Sequence, residues 1–315
     1  MAGSCPSRLL TDNMNIMTLV NSLPGAVAQG LIWGILAIGI YITYKILDVA
    51  DLTVDGSLCT GGAVAAVLIA GGMNPMLAMV FAILAGMLAG LVTGLLHTVV
   101  GIPAILAGIL TQLALYSINM RIMTKSNVTI SRREFDLLLT SYSVWPAIVV
   151  ALLFVAVVVA LLYWFFGTKL GCAVRATGGN ERMARAQGIQ TNRMKVLGLI
   201  LSNGLVGLAG GVLAQYQGNA DINMGRGAIV IGLAAVVIGE VTFGRISNFA
   251  VRLLGTTFGA IVYYVVLAFV LWLGLSTTDL KLFSAVTVAV FLAVPNLKKK
   301  VFAPKKATKG GGTSC

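Results

Sequence analysis

The chain alternates long apolar runs with short polar breaks, and the lengths of the runs predict helices that cross a membrane. A helix of about 20 apolar residues spans the hydrocarbon core of a bilayer. Gly and Pro mark several breaks, as at Gly101 and Pro103. The pattern predicts about nine membrane segments, or eight or ten if short ones are re-entrant, at residues 24–47, 56–72, 76–100, 104–120, 144–167, 196–215, 229–243, 249–272 and 280–294.

Two of these segments, 56–72 and 229–243, are short for a full crossing, so we expect tilted or re-entrant helices there. Some longer segments carry glycines four residues apart, such as Gly86, Gly90 and Gly94. Small residues at this spacing share one helix face and let helices pack closely in lipid. The predicted fold class is therefore an all-α polytopic membrane protein.

The longest polar interruption, residues 168–195, carries six Lys or Arg residues against one acid, Glu181. Basic residues near span ends resist translocation, so we expect this loop in the cytoplasm. Within it, Asn180 is placed to cap a short helix, Glu181 to face the positive end of the dipole, and Gly188 to end the helix. The loop either docks into a groove of another protein or is a solvated basic loop that only sets topology.

Composition argues against several classes of function. The chain is 58% hydrophobic and 10% charged, whereas a soluble domain carries about 25% charged residues. The net charge of +12 lies in membrane-proximal loops and the tail, so no nucleic-acid partner is expected. The four cysteines lack metal-ligand spacing, His97 lies in an apolar helix, and there is no phosphate-binding loop. We expect no metal and no catalytic residue. A separate chain would supply the motor if ATP drives transport.

Polar residues in or beside the apolar segments are candidates for lining a translocation path: Asp55, Ser57, Gln112, Asn223 and Glu240. The first two could instead cap the next helix. The glutamine could join helices by hydrogen bonding, and Glu240 could pair with Arg245 or Arg252. Polar groups inside a membrane often mark transport paths, so both interpretations stay open.

Charge in the remaining polar segments orients the chain. The tail at 298–315 contains six lysines and, like the loop at 168–195, is expected in the cytoplasm. Counting crossings backwards places the N-terminal tail, residues 1–22, outside, and leaves a transmembrane domain at 23–297. The loop at 121–143 then also lies outside and offers contacts to an external protein, although it carries Arg132 and Arg133.

The basic loop resembles the coupling loop of ABC-importer permeases of the branched-chain amino acid and ribose class, in the order Gly171, Arg175, Ala176, Asn180, Ala184, Gly188, Ile189 and Lys195. The stretches DLTVDGS at 51–57 and ADINMG at 220–225 are similar to the subgroup found with tryptophan/tyrosine-type binding lipoproteins. The similarity covers residues 23–298.

This resemblance implies a transport subunit in a bacterial plasma membrane and no enzyme activity of its own. Two copies would form the path, a cytoplasmic ATPase would bind ATP and Mg²⁺, and an external substrate-binding lipoprotein would deliver the solute. The subgroup favours an aromatic amino acid. The alternatives are a branched-chain amino acid, a nucleoside or a sugar, or an ion-coupled secondary transporter.

The resemblance also implies which residues couple the chain to the ATPase. Arg182 and Arg185 would contribute charge to the contact, and the small residues Ala184 and Ala186 would allow close approach. The coupling residues implied are Gly171, Arg175, Ala176, Asn180, Glu181, Arg182, Met183, Ala184, Arg185 and Gly188.

Overall fold

The computed structural model describes residues 16–131, 137–244, 246, 248–273 and the isolated positions 282, 285, 286 and 289. In this part the chain forms ten α-helices, one π-helix and two short strands. The helices are α1 (Ile16–Tyr41), continued by the π-helix (Ile42–Ile46), α2 (Val54–Ala70), α3 (Pro75–Thr98), α4 (Ala104–Met123), α5 (Val144–Gly167), α6 (Lys169–Gly179), α7 (Glu181–Ala186), α8 (Thr191–Gln217), α9 (Ala228–Phe243) and α10 (Phe249–Trp272). The strands are β1 (Asn127–Thr129) and β2 (Asn219–Asp221).

Six helices in the described part are long and apolar enough to cross a membrane, namely α1, α3, α4, α5, α8 and α10. The shorter apolar helices α2 and α9 match the two segments predicted to be short. The chain is therefore an all-α polytopic membrane protein. The first fifteen residues, the charged residues at 132–136, the basic tail and most of the predicted segment at 280–294 lie outside the described residues.

Helix α8 lies at the centre of the bundle and packs closely against α2 and α3. On α3, a methyl group added at Gly86 would overlap the carbonyl oxygen of Asn203 in α8. On α2, one added at Gly61 would overlap the backbone of Gly207. Because these backbones pack closely, the predicted packing face of α3 is confirmed.

Three polar segments contain secondary structure that the sequence pattern did not predict. A loop with one short helix was predicted at 168–195, but the 11-residue helix α6 precedes that helix. Its buried residues Gly171, Val174 and Thr177 are spaced as one helix face, yet two of them give little hydrophobic signal. The strands β1 and β2 pair antiparallel, with Asn127 opposite Asp221, and three residues are too few to show alternation.

Candidate functional site

Helix α2 begins near the middle of the bundle. Ser57, in its first turn, donates a hydrogen bond of 2.6 Å to the side-chain oxygen of Asn203, which lies halfway along the 27-residue helix α8. The chain reaches this depth through the π-helix and residues 47–53, where Asp48 has a φ of +55°. Interrupted helices inside a membrane domain are tolerated where they are packed in protein or line a cavity.

Asp55 joins this break in α2 to the start of the other short helix, α9. One oxygen of its carboxylate accepts a hydrogen bond from the N–H of Gly227 at 3.0 Å, and the other accepts one from the N–H of Ile229 at 2.9 Å. A carboxylate in this position satisfies N–H groups that have no partner within the helix and faces the positive end of its dipole. Both short helices therefore begin next to each other.

A cleft of about 280 Å³, hereafter the central cleft, lies where α2, α4 and the segment before α9 meet. It combines an acid, a guanidinium, two amides and an aromatic ring with apolar surface. A few polar groups converging in an apolar cleft are typical of small-molecule sites. The lining residues are Asp55, Gly56, Cys59, Gln112, Leu113, Tyr116, Asn119, Ile222 and Arg226.

Asn119 carries unsatisfied hydrogen-bonding capacity in the central cleft. The residue is 1% exposed, and among the described residues its side-chain amide makes no well-formed hydrogen bond. The thiol of Cys59 is its polar neighbour, but that thiol donates to the carbonyl oxygen of Ile222 at 3.2 Å. A buried polar group left without a partner costs about 1–3 kcal/mol, so this amide requires an explanation.

A buried polar network lies at the level of the break in α2. The carboxylate of Asp51 accepts a hydrogen bond from the side-chain nitrogen of Asn203 at 2.7 Å and one from the N–H of Thr53 at 2.9 Å. The hydroxyl of Thr53 lies 2.7 Å from that of Thr93, which is 2.9 Å from that of Thr111. The network connects α8, α3 and α4 to the segment that leads into α2.

The structure brings together two of the five predicted path residues. Asp55 and Gln112 both line the central cleft, although both oxygens of Asp55 are engaged with the start of α9. Ser57 is fully buried against Asn203, so it is not a lining residue in this conformation. Asn223 is exposed near the cleft but is not among its lining residues.

The remaining path candidate, Glu240, lies at the opposite end of α9. It forms an ion pair with Lys45 of the π-helix. The predicted partner Arg252 instead donates a hydrogen bond to the carbonyl oxygen of Ile246 at 3.0 Å, and Arg245 lies outside the described residues. Glu240 is therefore paired, but with Lys45, which comes from an element that the sequence did not place nearby. The predicted pairing with Arg252 is not observed.

Helix α7 has the boundaries that the sequence predicted. The side-chain oxygen of Asn180 accepts a hydrogen bond of 3.1 Å from the N–H of Met183. Gly188 follows the helix with a φ of +81°, and the N–H of Ile189 donates to the carbonyl oxygen of Ala184 at 3.0 Å. These bonds satisfy groups left open at both helix ends.

Glu181 joins α7 to the beginning of α8, which the sequence did not predict. Its carboxylate lies 2.8 Å from the ammonium nitrogen of Lys195 and 2.7 Å from a guanidinium nitrogen of Arg185. The hydroxyl of Thr191 donates to the same carboxylate at 3.2 Å. The hydrogen bond from Lys195, together with the nearby positive charges, lowers the pKa of Glu181 despite partial burial.

The exposed face of α7 differs from the predicted contact set. Ala184 was expected to allow close approach of another protein, but it is 1% exposed and faces the packing of its own chain. The expectation that Ala184 allows another protein to approach closely is therefore wrong. Arg182, Met183 and Ala186 are exposed and lie on the outward face of α7.

Helix α6 packs against two other elements at this end of the bundle. A methyl group added at Gly178 would overlap the carbonyl oxygen of Ile46, the last residue of the π-helix. The guanidinium carbon of Arg175 lies 5.2 Å from the ring centroid of Phe249 in α10, within the range of a cation–π contact. Of the other predicted coupling residues in α6, Gly171 is buried and Ala176 is half-buried.

Only two of the nine lining residues of the central cleft, Asp55 and Gln112, were predicted from the sequence. The polar residues that were missed are Cys59, Tyr116, Asn119 and Arg226. A periodic signal was present on α4, because Gln112, Tyr116 and Asn119 follow the i, i+4, i+7 spacing of one helix face. Arg226 lies between two glycines directly before a short apolar segment. A single basic residue at such a position indicates a binding site less clearly than the periodic polar face of α4 does.

Known proteins match nearly the whole described chain. Residues 23–295 match the family described as the permease component of branched-chain amino acid transport systems. The chain is 40% identical over 278 residues to the tyrosine transport system permease protein of Clostridioides difficile, with 88% of this chain and 92% of that relative covered.

A more distant relative is the ribose import permease protein RbsC of Escherichia coli, which is 27% identical over 283 residues that cover 89% of this chain and 87% of that protein. No solved structure matches the chain at a significant level. The family match and the 40% identity agree with the order of residues in the basic loop and with the stretches at 51–57 and 220–225. The chain therefore belongs to the ABC-importer permeases of the branched-chain amino acid and ribose class, in the tryptophan/tyrosine-type subgroup.

Proposed function

We propose that this chain is the permease subunit of an ATP-driven importer for an amino acid, with an aromatic amino acid favoured. Two copies form the translocation path, two ATPase subunits bind ATP and Mg²⁺, and an external binding lipoprotein delivers the solute. The α6–α7 end and the basic tail face the cytoplasm of a bacterial cell, and the complete domain crosses the plasma membrane about nine times. The name of the tyrosine permease supports the choice of solute.

The attachment of α7 to α8 carries this proposal. Glu181 binds Lys195 at 2.8 Å, so α7 is fixed to the first turns of a helix that runs through the centre of the bundle. A push on the exposed residues Arg182 and Met183 would move α8 as a rigid body. Asn203, halfway along α8, would carry the movement to the segment before α2 and so to the central cleft.

A second mechanical connection runs through the π-helix. Gly178 of α6 touches the backbone of Ile46, and Lys45 in the same π-helix pairs with Glu240 near the end of α9. Irregular helical turns are frequent at functional sites. A displacement of α6 would thus reach α9, the second short helix at the cleft, independently of α8.

The exposed face of α4 supports a path between two copies. Tyr116 and Ser117 are exposed there beside apolar side chains such as Leu113, and Gln112 is half-buried. The exposed positions of α5, by contrast, are apolar or aromatic, as at Leu153 and Leu161. Polar side chains are unfavourable against lipid tails and face the interior of a bundle or a water-filled cavity. We infer that a second copy covers α4 and that lipid covers α5.

The proposal is tested by purifying the chain from its native membrane and identifying its partners. We expect an ATPase with a phosphate-binding loop to co-purify with the wild type. The double variant Arg182→Glu, Met183→Glu should lose it, because both substitutions change the exposed face of α7. The control Arg121→Glu, exposed in the last turn of α4, should retain it.

Two results would overturn the proposal. Retention of the ATPase and of uptake in the double variant would show that α7 is not the contact. A chain that purifies alone and still moves solute down an imposed ion gradient in liposomes would be a secondary transporter.

A further inference from the structure

We propose that the central cleft is a binding site for the solute inside this chain, and that it takes an α-amino acid. The guanidinium of Arg226 would bind the carboxylate, and the amide of Asn119 would exchange hydrogen bonds with the solute. This inference rests on the proposed transport function, but it assigns solute contacts to residues of the permease itself.

Arg226 is available for a carboxylate. It lines the cleft, and no carboxylate in the described part of the chain lies within ion-pairing distance of it. The neighbouring acid, Asp55, uses one oxygen for the N–H of Gly227 and the other for the N–H of Ile229. Asp55 thereby fixes the turn that carries Arg226. A planar guanidinium can bind a carboxylate through two parallel hydrogen bonds.

The side-chain amide of Asn119 is a second, independent observation in favour of a solute site in the central cleft. This amide is buried at the wall of the cleft, and among the described residues its only polar neighbour is the thiol of Cys59, a weak donor. Such an amide offers two N–H donors and one acceptor oxygen. A solute that carries both donors and acceptors would satisfy it, and burial without a partner is unfavourable until such a solute binds.

The pair of residues favours an amino acid over a neutral sugar. A sugar could satisfy Asn119, but it would leave the guanidinium of Arg226 without a counter-charge. An amino acid offers a carboxylate to Arg226 and an apolar side chain to the ring of Tyr116. Leu113, which is 64% exposed, lies at the rim of the cleft. The volume of about 280 Å³ is near the lower limit of small-molecule sites, which suits a single amino acid.

Occupancy of the cleft can be measured without transport. Leu113→Cys places a thiol at the rim of the cleft in a chain whose Cys5, Cys172 and Cys315 are replaced by alanine, while the buried Cys59 is kept. The purified chain in nanodiscs is labelled with a small maleimide in the presence of L-tyrosine, L-tyrosinamide or D-ribose. We expect L-tyrosine to slow labelling about tenfold. L-Tyrosinamide lacks the carboxylate and D-ribose is neutral, so neither should protect the thiol.

Two variants distinguish binding from a structural role. Arg226→Gln should abolish protection by L-tyrosine, whereas Arg121→Gln should retain it. Asn119→Leu should weaken protection while raising the thermal unfolding midpoint, because it removes a buried polar group that makes no well-formed hydrogen bond within the described part of the chain. A residue with a purely structural role would lower the midpoint instead.

Three other outcomes would contradict the assignment of the central cleft as an amino-acid site. Protection by D-ribose and not by L-tyrosine, or no protection by any of the three, would overturn the inference. So would full protection by L-tyrosine in Arg226→Gln. These results leave co-purification of the ATPase unaffected, so failure of this site is distinguishable from failure of the proposed function.

Discussion

Asn203 donates a hydrogen bond from its side-chain nitrogen to a carboxylate oxygen of Asp51 at 2.7 Å, although 152 residues separate them in the chain. The oxygen of the same amide accepts the hydroxyl proton of Ser57. One side chain of the central helix α8 therefore holds both the segment before α2 and the first turn of α2. This arrangement explains why α2 can begin in the middle of the bundle.

Replacing Asn203 by leucine should destabilise the fold. The substitution leaves the buried carboxylate of Asp51 and the hydroxyl of Ser57 each without this partner. Removing one partner from a buried polar group costs about 1–3 kcal/mol, and more when the group is charged. The thermal unfolding midpoint in detergent should fall for Asn203→Leu and stay unchanged for Asn192→Leu, an exposed position at the start of the same helix. Equal midpoints in both variants would contradict the role given to this network.

Asp55→Asn should loosen the junction between α2 and α9. An asparagine retains one acceptor oxygen, and its amide group would face an N–H of α9 as a second donor. Loss of a helix cap costs about 0.5–2 kcal/mol, and the misplaced donor adds to that cost. We expect a lower unfolding midpoint together with slower uptake of L-tyrosine by cells that express the complete importer.

The control for this variant is Asp48→Asn. Asp48 is exposed and has a φ of +55°, a backbone conformation that asparagine also tolerates. An equal loss of stability in the two variants would show that the hydrogen bonds that Asp55 accepts from Gly227 and Ile229 do not stabilise the junction between α2 and α9.

Hydrophobic patterning could predict the apolar helices of the described part, because lipid imposes one requirement on every span, a sufficient length of apolar residues. The count of nine segments stays a prediction. Capping could be predicted for α7, since Asn180 and Gly188 act through their nearest neighbours in the chain. The short segments were recognised by length alone. These are local properties, and local properties are visible in a sequence.

The central cleft could be predicted only in part because its geometry depends on contacts between distant segments. Gln112 and Asp55 were candidates as polar residues in apolar surroundings, but the partner of Asp55 is 172 residues away. The ion pair of Glu240 with Lys45 likewise joins segments far apart in the chain. The burial of Ala184 depends on how α7 lies on its own chain, which its small size does not reveal.

Acidification should release α7 from α8. Glu181 is charged when it binds Lys195, and its pKa is lowered in the folded chain. The ion pair therefore stabilises the folded chain fully at any pH above the ordinary glutamate pKa of about 4.3. That effect is lost as the pH falls through the lower folded-state value. Hydrogen exchange in the peptide that contains α7, corrected for intrinsic rates, should accelerate at that acidic pH.

The variant Glu181→Gln should show the faster exchange already at neutral pH. The neighbouring substitution Arg182→Gln removes an exposed side chain for which the described residues show no ion pair, and its exchange should match the wild type. Identical exchange in wild type and Glu181→Gln at neutral pH would contradict the proposed attachment of α7 to α8.

Gly178→Ala tests the connection between α6 and the π-helix. An added methyl group would overlap the carbonyl oxygen of Ile46, which lies in backbone and cannot rotate away, so α6 must shift. Overpacking of this kind costs about 1–3 kcal/mol.

The neighbouring Gly179→Ala is the matched control, because an added methyl group there meets no atom within 4 Å. Neither variant changes the exposed face of α7, where we propose that the ATPase binds, so co-purification of the ATPase should persist. We expect uptake of L-tyrosine to fall about tenfold in Gly178→Ala, the change that a barrier higher by about 1.4 kcal/mol produces, while Gly179→Ala transports normally. Normal uptake in both variants would exclude this contact as a route by which movement of α6 reaches the cleft.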